Sequence, residues 1–255
     1  MSAIALSVNL NKIALLRNSR DGNYPNVVEF GRRAIAAGAQ GLTVHPRPDQ
    51  RHIRPDDVRQ IAQLLKGNPD PLLEFNIEGN PFADASGDYP GLLDLTLEVV
   101  PHQCTLVPDS DSQKTSDHGF DLQRSGDRLA PLIAKLKAKG IRVSLFMDPR
   151  PEQIELAAQI GADRIELYTG PFAHAFALSV ETGQEVFEQH CFAAEKALEL
   201  GLGINAGHDL NLENMALYQR LPGLQEVSIG HALTVDALLM GFETAVKAYL
   251  ESCRV

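Results

Sequence analysis

The chain has 255 residues, 23 Lys+Arg against 33 Asp+Glu for a formal net charge of −10 at pH 7, and no Trp. With 44% hydrophobic and 22% charged residues it has the balance of an ordinary soluble globular protein, which excludes disordered, collagen-like and coiled-coil classes. An acidic chain with only 6% aromatics also argues against nucleic acid or an anionic membrane surface as the main partner, while leaving room for a local anion site.

The N-terminal stretch Met1–Asn9 lacks a basic region and a long apolar core, and no run approaches the ~18 apolar residues of a membrane span. Cys104, Cys191 and Cys253 lie far apart with no CxxC, so neither a disulfide framework nor a structural zinc site is indicated. The expectation is a soluble, unprocessed, cytoplasmic protein.

Along the chain a β-rich apolar run, a polar break, an amphipathic helix and a glycine recur. The runs are Ile4–Asn9, Gly41–His45, Leu72–Glu78, His102–Pro108, Arg142–Asp148, Arg164–Gly170, Gly203–His208 and Glu226–His231. Between them, helical period aligns Val27, Phe30, Ala34 and Ala37, then Leu129, Leu132, Ile133 and Leu136. The last stripe is read as one face over Val235, Leu238, Leu239, Phe242, Val246 and Tyr249. Gly38, Gly140, Gly161 and Gly201 stand where a left-handed helix cap favours glycine. The segments Lys66–Pro71, Ala83–Pro90 and Asp109–Gly119 read as loops rather than domain boundaries.

Eight βα units imply parallel strands joined by right-handed crossovers, and closure into a barrel. No GxGxxG turn follows the first run, which ends in Asn9-Leu10-Asn11-Lys12, so an open dinucleotide-binding sheet is disfavoured. The fold class is therefore an α/β closed parallel (β/α)8 TIM barrel with extra helices, a single domain over 1–255. In such a barrel the chemistry sits at the C-terminal ends of the strands.

Those ends carry Asn9, His45, Glu78, Asp148, Glu166, His208 and the pair Gly230-His231. Each alone reads as a structural hydrogen-bonder; several converging on one mouth point to a site that tunes proton affinities. After His45 come Arg47, Arg51 and His52 within one loop, a concentration of positive charge suited to a phosphate, against the alternative of a solvated loop. Asn205-Ala206-Gly207-His208 and Ser228-Ile229-Gly230-His231 end the last two runs, where barrels often hold phosphate on glycine-bearing turns. Lys12 admits two readings, a Schiff-base lysine or a fixed positive charge; nearby Arg17 and Arg20 favour fixed charge and anion binding. No HxH or HExxH pattern supplies paired metal ligands, so no metal site is assigned.

Val8-Asn9 through Leu16-Arg17-Asn18, Thr43-Val44-His45 with Arg47 and Arg51-His52-Ile53, Asn205-Ala206-Gly207-His208 and Ile229-Gly230-His231 together resemble the pyridoxine 5′-phosphate synthase family over nearly the whole chain. The resemblance implies an octameric (β/α)8 barrel that joins 3-amino-2-oxopropyl phosphate to 1-deoxy-D-xylulose 5-phosphate, giving pyridoxine 5′-phosphate, phosphate and water. It implies His45, Glu78 and His208 as acid/base groups and Glu166 as a transition-state-stabilising carboxylate. Asn9, Arg20 and Gly230-His231 match positions holding the amino-oxopropyl phosphate, and Arg47, His52 and Thr115 match those holding the deoxyxylulose phosphate. Glu74 shares the third strand, but Asn76-Ile77-Glu78 is the better match, with Glu78 nearer the mouth on the same face.

Two departures stand out. Asn11-Lys12 replaces the Asp-His of the best-known members, the pattern of a second subgroup, and Asp209 replaces a glycine after His208. Asn11, Lys12 and Asp209 are accordingly counted as substrate-binding candidates. The family's imine forms between the two substrates, so no enzyme lysine and no redox or metal cofactor is implied. Two other readings remain open from residues alone: a Schiff-base aldolase using Lys12, and a non-catalytic barrel that binds a phosphorylated metabolite.

Overall fold

The computed structural model describes residues 4–254 except 69 and 111. Eight strands are present: β1 (Ala5–Asn9), β2 (Gly41–Val44), β3 (Glu74–Gly79), β4 (Gln103–Leu106), β5 (Arg142–Met147), β6 (Arg164–Tyr168), β7 (Gly203–Gly207) and β8 (Leu224–Ile229). Every neighbouring pair is parallel, and β1 pairs with both β2 and β8, which closes the barrel. Each of the eight runs expected from the sequence overlaps one strand.

The helices are α1 (Asn11–Arg17), α2 (Val27–Ala36), α3 (Pro55–Lys66), α4 (Leu92–Val99), α5 (Leu122–Lys137), α6 (Pro151–Gln159), α7 (Gly170–Leu178), α8 (Val180–Glu199), α9 (Met215–Tyr218), α10 (His231–Met240) and α11 (Phe242–Ser252). Two helices instead of one follow β1, β6 and β8, which supplies the extra helices. Asn26 caps α2 by accepting from the Glu29 N–H at 2.9 Å. The four cap glycines all lie in the left-handed region, with φ from 75° to 109°. Of the expected loops, 66–71 and 109–119 contain residues 69 and 111, which lie outside the described residues, and Lys66 closes α3.

The strands alternate, and the alternation assigns the two faces. Leu6, Val8, Leu42, Val44, Phe75 and Ile77 are buried, and they alternate with Ser7, Thr43 and Asn76. The apolar set packs under the helices and the polar set points into the barrel, because hydrogen bonds join strands that are not neighbours. Asn205 Nδ2 on β7 donates to Gln103 Oε1 on β4 at 3.3 Å, and Arg142 on β5 pairs with Glu74 on β3. A barrel filled with polar side chains survives because they satisfy one another: Arg142 donates to Gln103, and Arg164 to Asn205. This lower layer is the floor on which the site rests.

The C-terminal stripe is corrected. Gly241, at φ 86°, ends α10 and starts α11, so the axis turns within what the sequence read as one face. Phe242, Val246 and Tyr249 of α11 are buried, whereas Leu238 and Leu239 of α10 are 77% and 82% exposed. Helical period continues across a glycine in sequence, but the bend at Gly241 breaks the face in space.

Candidate active site

At the C-terminal mouth of the barrel lies a cavity of about 510 Å³. Thirteen of the fourteen catalytic and substrate-binding candidates line it. Asn9 ends β1; Asn11 and Lys12 open α1; His45, Arg47 and His52 follow β2; Glu78 comes from β3 and Glu166 from β6. Thr115 lies on the β4–α5 loop, His208 and Asp209 follow β7, and Gly230-His231 joins β8 to α10. The exception is Arg20, which is exposed beyond the end of α1 and does not line the cavity.

On the floor of the cavity stand His45, Glu78 and Glu166, all buried. Asn11 fixes His45 by accepting from its backbone N–H at 2.9 Å, and Asn9 Nδ2 reaches Glu78 Oε2 at 3.4 Å. The His45 ring sits between two carboxylates, with Nδ1 3.8 Å from Glu78 Oε2 and Nε2 3.2 Å from Asp109 Oδ2. Burial, followed by the charges of Arg47 and Arg51, still pushes His45 down to about 3. Of the two carboxylates, Asp109 is ion-paired with Arg47, and the proton affinity of Glu78 is itself raised. Burial first, and then the carboxylates Glu166, Asp109 and Glu226, push Glu78 well above its ordinary range.

Glu166 reaches the cavity because Gly207 on the neighbouring strand has no side chain. A Cβ there would lie 2.4 Å from Glu166 Oε1. Burial and the Glu226 carboxylate push Glu166 up to about 8, and its Oε2 is buried with no hydrogen-bond partner. A buried, unpartnered carboxyl oxygen on a residue that lines the cavity is a group with hydrogen-bonding capacity left for a ligand.

The rim has two ends that offer positive charge or backbone donors. On one, Arg47 and Arg51 donate to the Gln113 carbonyl at 3.1 and 2.7 Å, which ties the β4–α5 loop across the mouth. His52 Nδ1 accepts from the Ile53 N–H at 2.9 Å, and burial pushes its ring down to about 3, so it is neutral and presents Nε2–H. On the other, the N-terminus of α10 opens at Gly230-His231, where unpaired backbone N–H groups suit a phosphate. Among the described residues no group of three His, Cys, Asp or Glu side chains is arranged to hold a metal ion.

Residues 6–255 match the protein family described as "Pyridoxal phosphate biosynthesis protein PdxJ". The pyridoxine 5′-phosphate synthase of Xanthomonas axonopodis pv. citri is 55% identical over 251 residues, 98% of this chain and 96% of that protein. That of Albidiferax ferrireducens is 51% identical over 246 residues, covering 96% and 95%. The chain belongs to the PdxJ family. More distant solved structures share only the fold. A thiamine phosphate pyrophosphorylase from Pyrococcus furiosus superposes with TM-score 0.58 at 13% identity, covering 98% of this chain and 95% of that one.

For a PdxJ-family protein the cavity brings together a Glu78 carboxyl whose proton affinity burial raises, a His45 imidazole whose proton affinity burial lowers, and two rim ends rich in hydrogen-bond donors. Three readings from the sequence need correction. Arg17 does not serve an anion: it is 1% exposed and pairs with Asp57 at 2.5 Å. Asp148, at the end of β5, stays out of the cavity and accepts from the Gly119 N–H at 3.1 Å. Asp109, at the start of a segment that reads as a loop, is buried and touches both Arg47 and His45. The signal was present, because the rule of reading strand ends reaches Asp109 one residue beyond the run that stopped at Pro108.

Proposed function

We propose that this PdxJ-family chain condenses 3-amino-2-oxopropyl phosphate with 1-deoxy-D-xylulose 5-phosphate, releasing pyridoxine 5′-phosphate, phosphate and water. The observation that carries the assignment of roles is the opposed proton affinity of two adjacent buried groups 3.8 Å apart, raised on Glu78 and lowered on His45. The substrate amine attacks the ketone of the second substrate, and the resulting carbinolamine loses water to an imine. Glu78 gives its proton to the departing hydroxyl. His45 takes the proton from the adjoining carbon, and the pair is reset as protons pass back during later steps. His208 faces the same cavity as a third acid/base group, and Glu166 donates to oxygen charge that develops above it.

The deoxyxylulose phosphate belongs at the Arg47, Arg51, His52 and Thr115 end, and the amino-oxopropyl phosphate at Asn9 and Gly230-His231. Holding both substrates in one cavity supplies the proximity part of the barrier. In the Asn-Lys subgroup reading, Asn11 works through His45, whose N–H its side chain accepts, and Lys12 is a fixed charge. Arg20 remains a candidate phosphate ligand only if a neighbouring subunit brings it to a mouth. An octamer is part of the same reading. Leu15 and Leu16 on α1 and Leu238 and Leu239 on α10 are exposed, and the two helices are in contact, which supports association. A cytoplasmic location fits the three free cysteines.

The deciding experiment follows formation of pyridoxine 5′-phosphate with both substrates and with each omitted. Product only when both are present is expected. Its absence overturns the proposal. Glu78→Gln should bind both substrates and lose about 10²–10⁴-fold in turnover; unchanged turnover removes Glu78 from the mechanism.

A further inference from the structure

The turn after β7 has a backbone that needs a reason. His208 and Asp209 have φ of 87° and 58°, two consecutive residues with side chains in the left-handed region. Their carbonyls are tied down. The Thr169 hydroxyl reaches the Gly207 carbonyl at 2.8 Å and also the His208 carbonyl, and Asn214 Nδ2 donates to the Asp209 carbonyl at 3.1 Å. The consequence of the turn is that the Asp209 side chain folds back onto the ring of the preceding residue, with Oδ2 3.0 Å from His208 Nδ1. On the far side of the ring, Nε2 lies 2.8 Å from the Thr115 hydroxyl of the β4–α5 loop.

From this geometry we propose that Asp209 is a positioning residue for His208: it accepts from Nδ1–H and thereby leaves Nε2 as the proton acceptor that faces the cavity. The inference rests on the acid/base role given above to His208. An ionised carboxylate can only accept, so in the neutral ring Nδ1 must carry the proton and Nε2 the lone pair. Asp209 is ionised at neutral pH. The hydrogen bond to His208 holds it below the ordinary carboxylate range, with His231 on α10 and Lys12 on α1 adding positive charge beside it. Thr115 then donates to Nε2 and occupies the acceptor site in the absence of substrate. A substrate proton takes that place when the loop and ligand rearrange.

Other groups around the ring do not substitute for Asp209. Tyr168 on β6 meets the ring edge-on at 5.2 Å between centroids, and burial keeps its phenol protonated. Asp117 of the β4–α5 loop and Asp148 after β5 act on Tyr168, and Glu166 lies deeper in the same cavity. Asp209 is the carboxylate in contact with Nδ1. The role also explains why a side chain is present at a left-handed position that glycine would occupy at no steric cost.

The test uses the full-length enzyme with both substrates, together with ¹⁵N-histidine NMR, the His208 signals being those lost in His208→Gln. Asp209→Gly keeps the backbone and removes the acceptor. Its kcat should fall about 5–20-fold, a fraction of the ~10²–10⁴ that a placed acid/base group contributes, with both KM values within about threefold. Its Nδ1 signal should lose the protonated form as the major species. Asp209→Asn keeps an acceptor oxygen without the charge, so the tautomer should persist, kcat should fall only about threefold, and the acid limb of the pH profile should move to lower pH. A glycine variant with wild-type kcat and tautomer overturns the proposal, as does one that raises a single KM and leaves kcat intact. Wild-type turnover in His208→Gln is a different outcome: it overturns the role given to His208 itself.

Discussion

Replacing Asp57 by Asn tests whether an internal ion pair, rather than an anion ligand, is what Arg17 is for. The Arg17 side chain is 1% exposed and that of Asp57 10%, so little solvent screens them. Arg17 Nη1 lies 2.5 Å from Asp57 Oδ1, Nη2 donates to the His52 carbonyl at 3.0 Å, and Nε donates to Asn18 Oδ1 at 3.0 Å. Asparagine keeps the shape and can still accept from the Arg54 N–H, which Asp57 Oδ2 holds at 2.8 Å at the start of α3. With the amide oxygen kept on the Arg54 N–H, the amide NH2 faces the guanidinium, so the charge and the hydrogen bond from Arg17 are lost together and Arg17 is left buried without a counter-ion. Breaking one side of such a pair costs about 3–5 kcal/mol. At about 2–4 °C per kcal/mol for a chain of this size, Tm should fall by about 6–20 °C in scanning calorimetry. The double variant Arg17→Met, Asp57→Asn removes both charges and should recover at least half of that loss. Because Arg17 and Asn18 hold the carbonyls of residues 50–52, Asp57→Asn should also raise KM for the substrate bound near His52. A drop below about 2 °C, or a double variant no more stable than the single one, refutes the reasoning.

Gly207→Ala places a Cβ 2.4 Å from Glu166 Oε1 and 3.4 Å from the Ser228 carbonyl, so a loss of about 1–3 kcal/mol and about tenfold or more in kcat is expected; unchanged kinetics would show that Glu166 can move freely. Glu226, pushed up to about 7 by burial against an ordinary 4.5, binds its proton more tightly in the folded chain than in the unfolded one. Its contribution is therefore fully present below pH 4.5 and is lost as pH rises to 7, about 3 kcal/mol in all. Urea unfolding at several pH values should show wild type losing that much relative to Glu226→Gln between pH 4.5 and 8, and parallel curves would contradict it. Arg47→Lys gives up a planar fork that spans Asp109 and the Gln113 carbonyl, so KM for the deoxyxylulose phosphate should rise about tenfold in steady-state assays. An unchanged KM would remove Arg47 from that phosphate site.

The barrel was legible in the sequence because its signals are local. Eight short β-rich apolar runs, helices of period 3.6 and glycines at helix ends are each written within a dozen residues, and closure follows from their number and order. Strand ends were legible for the same reason: Asn9, His45, Glu78, Glu166, His208 and Gly230-His231 all line the cavity, whereas Thr115 on a distant loop was indicated only by the family resemblance. Pairing was not legible. Arg17 and Arg20 look alike as charges three residues apart, and only the packing of α1 against the chain at Asp57 buries the first and leaves the second outside. Gly241 looks like a tolerated interruption of one stripe, yet it turns the axis and leaves Leu238 and Leu239 uncovered.

Proton affinities lie wholly on the tertiary side of that division. Residue type sets His45, Glu78 and Glu166 near their ordinary values, and nothing in their spacing along the chain says otherwise. Closing the barrel stacks Glu78, Glu166 and Glu226 from β3, β6 and β8 in one buried interior and sets His45 among the charges of its own loop. Sequence determined which chemical groups stand at the mouth. Only burial and through-space charge, which exist once strands far apart in sequence are brought side by side, decided how tightly each of those groups holds a proton.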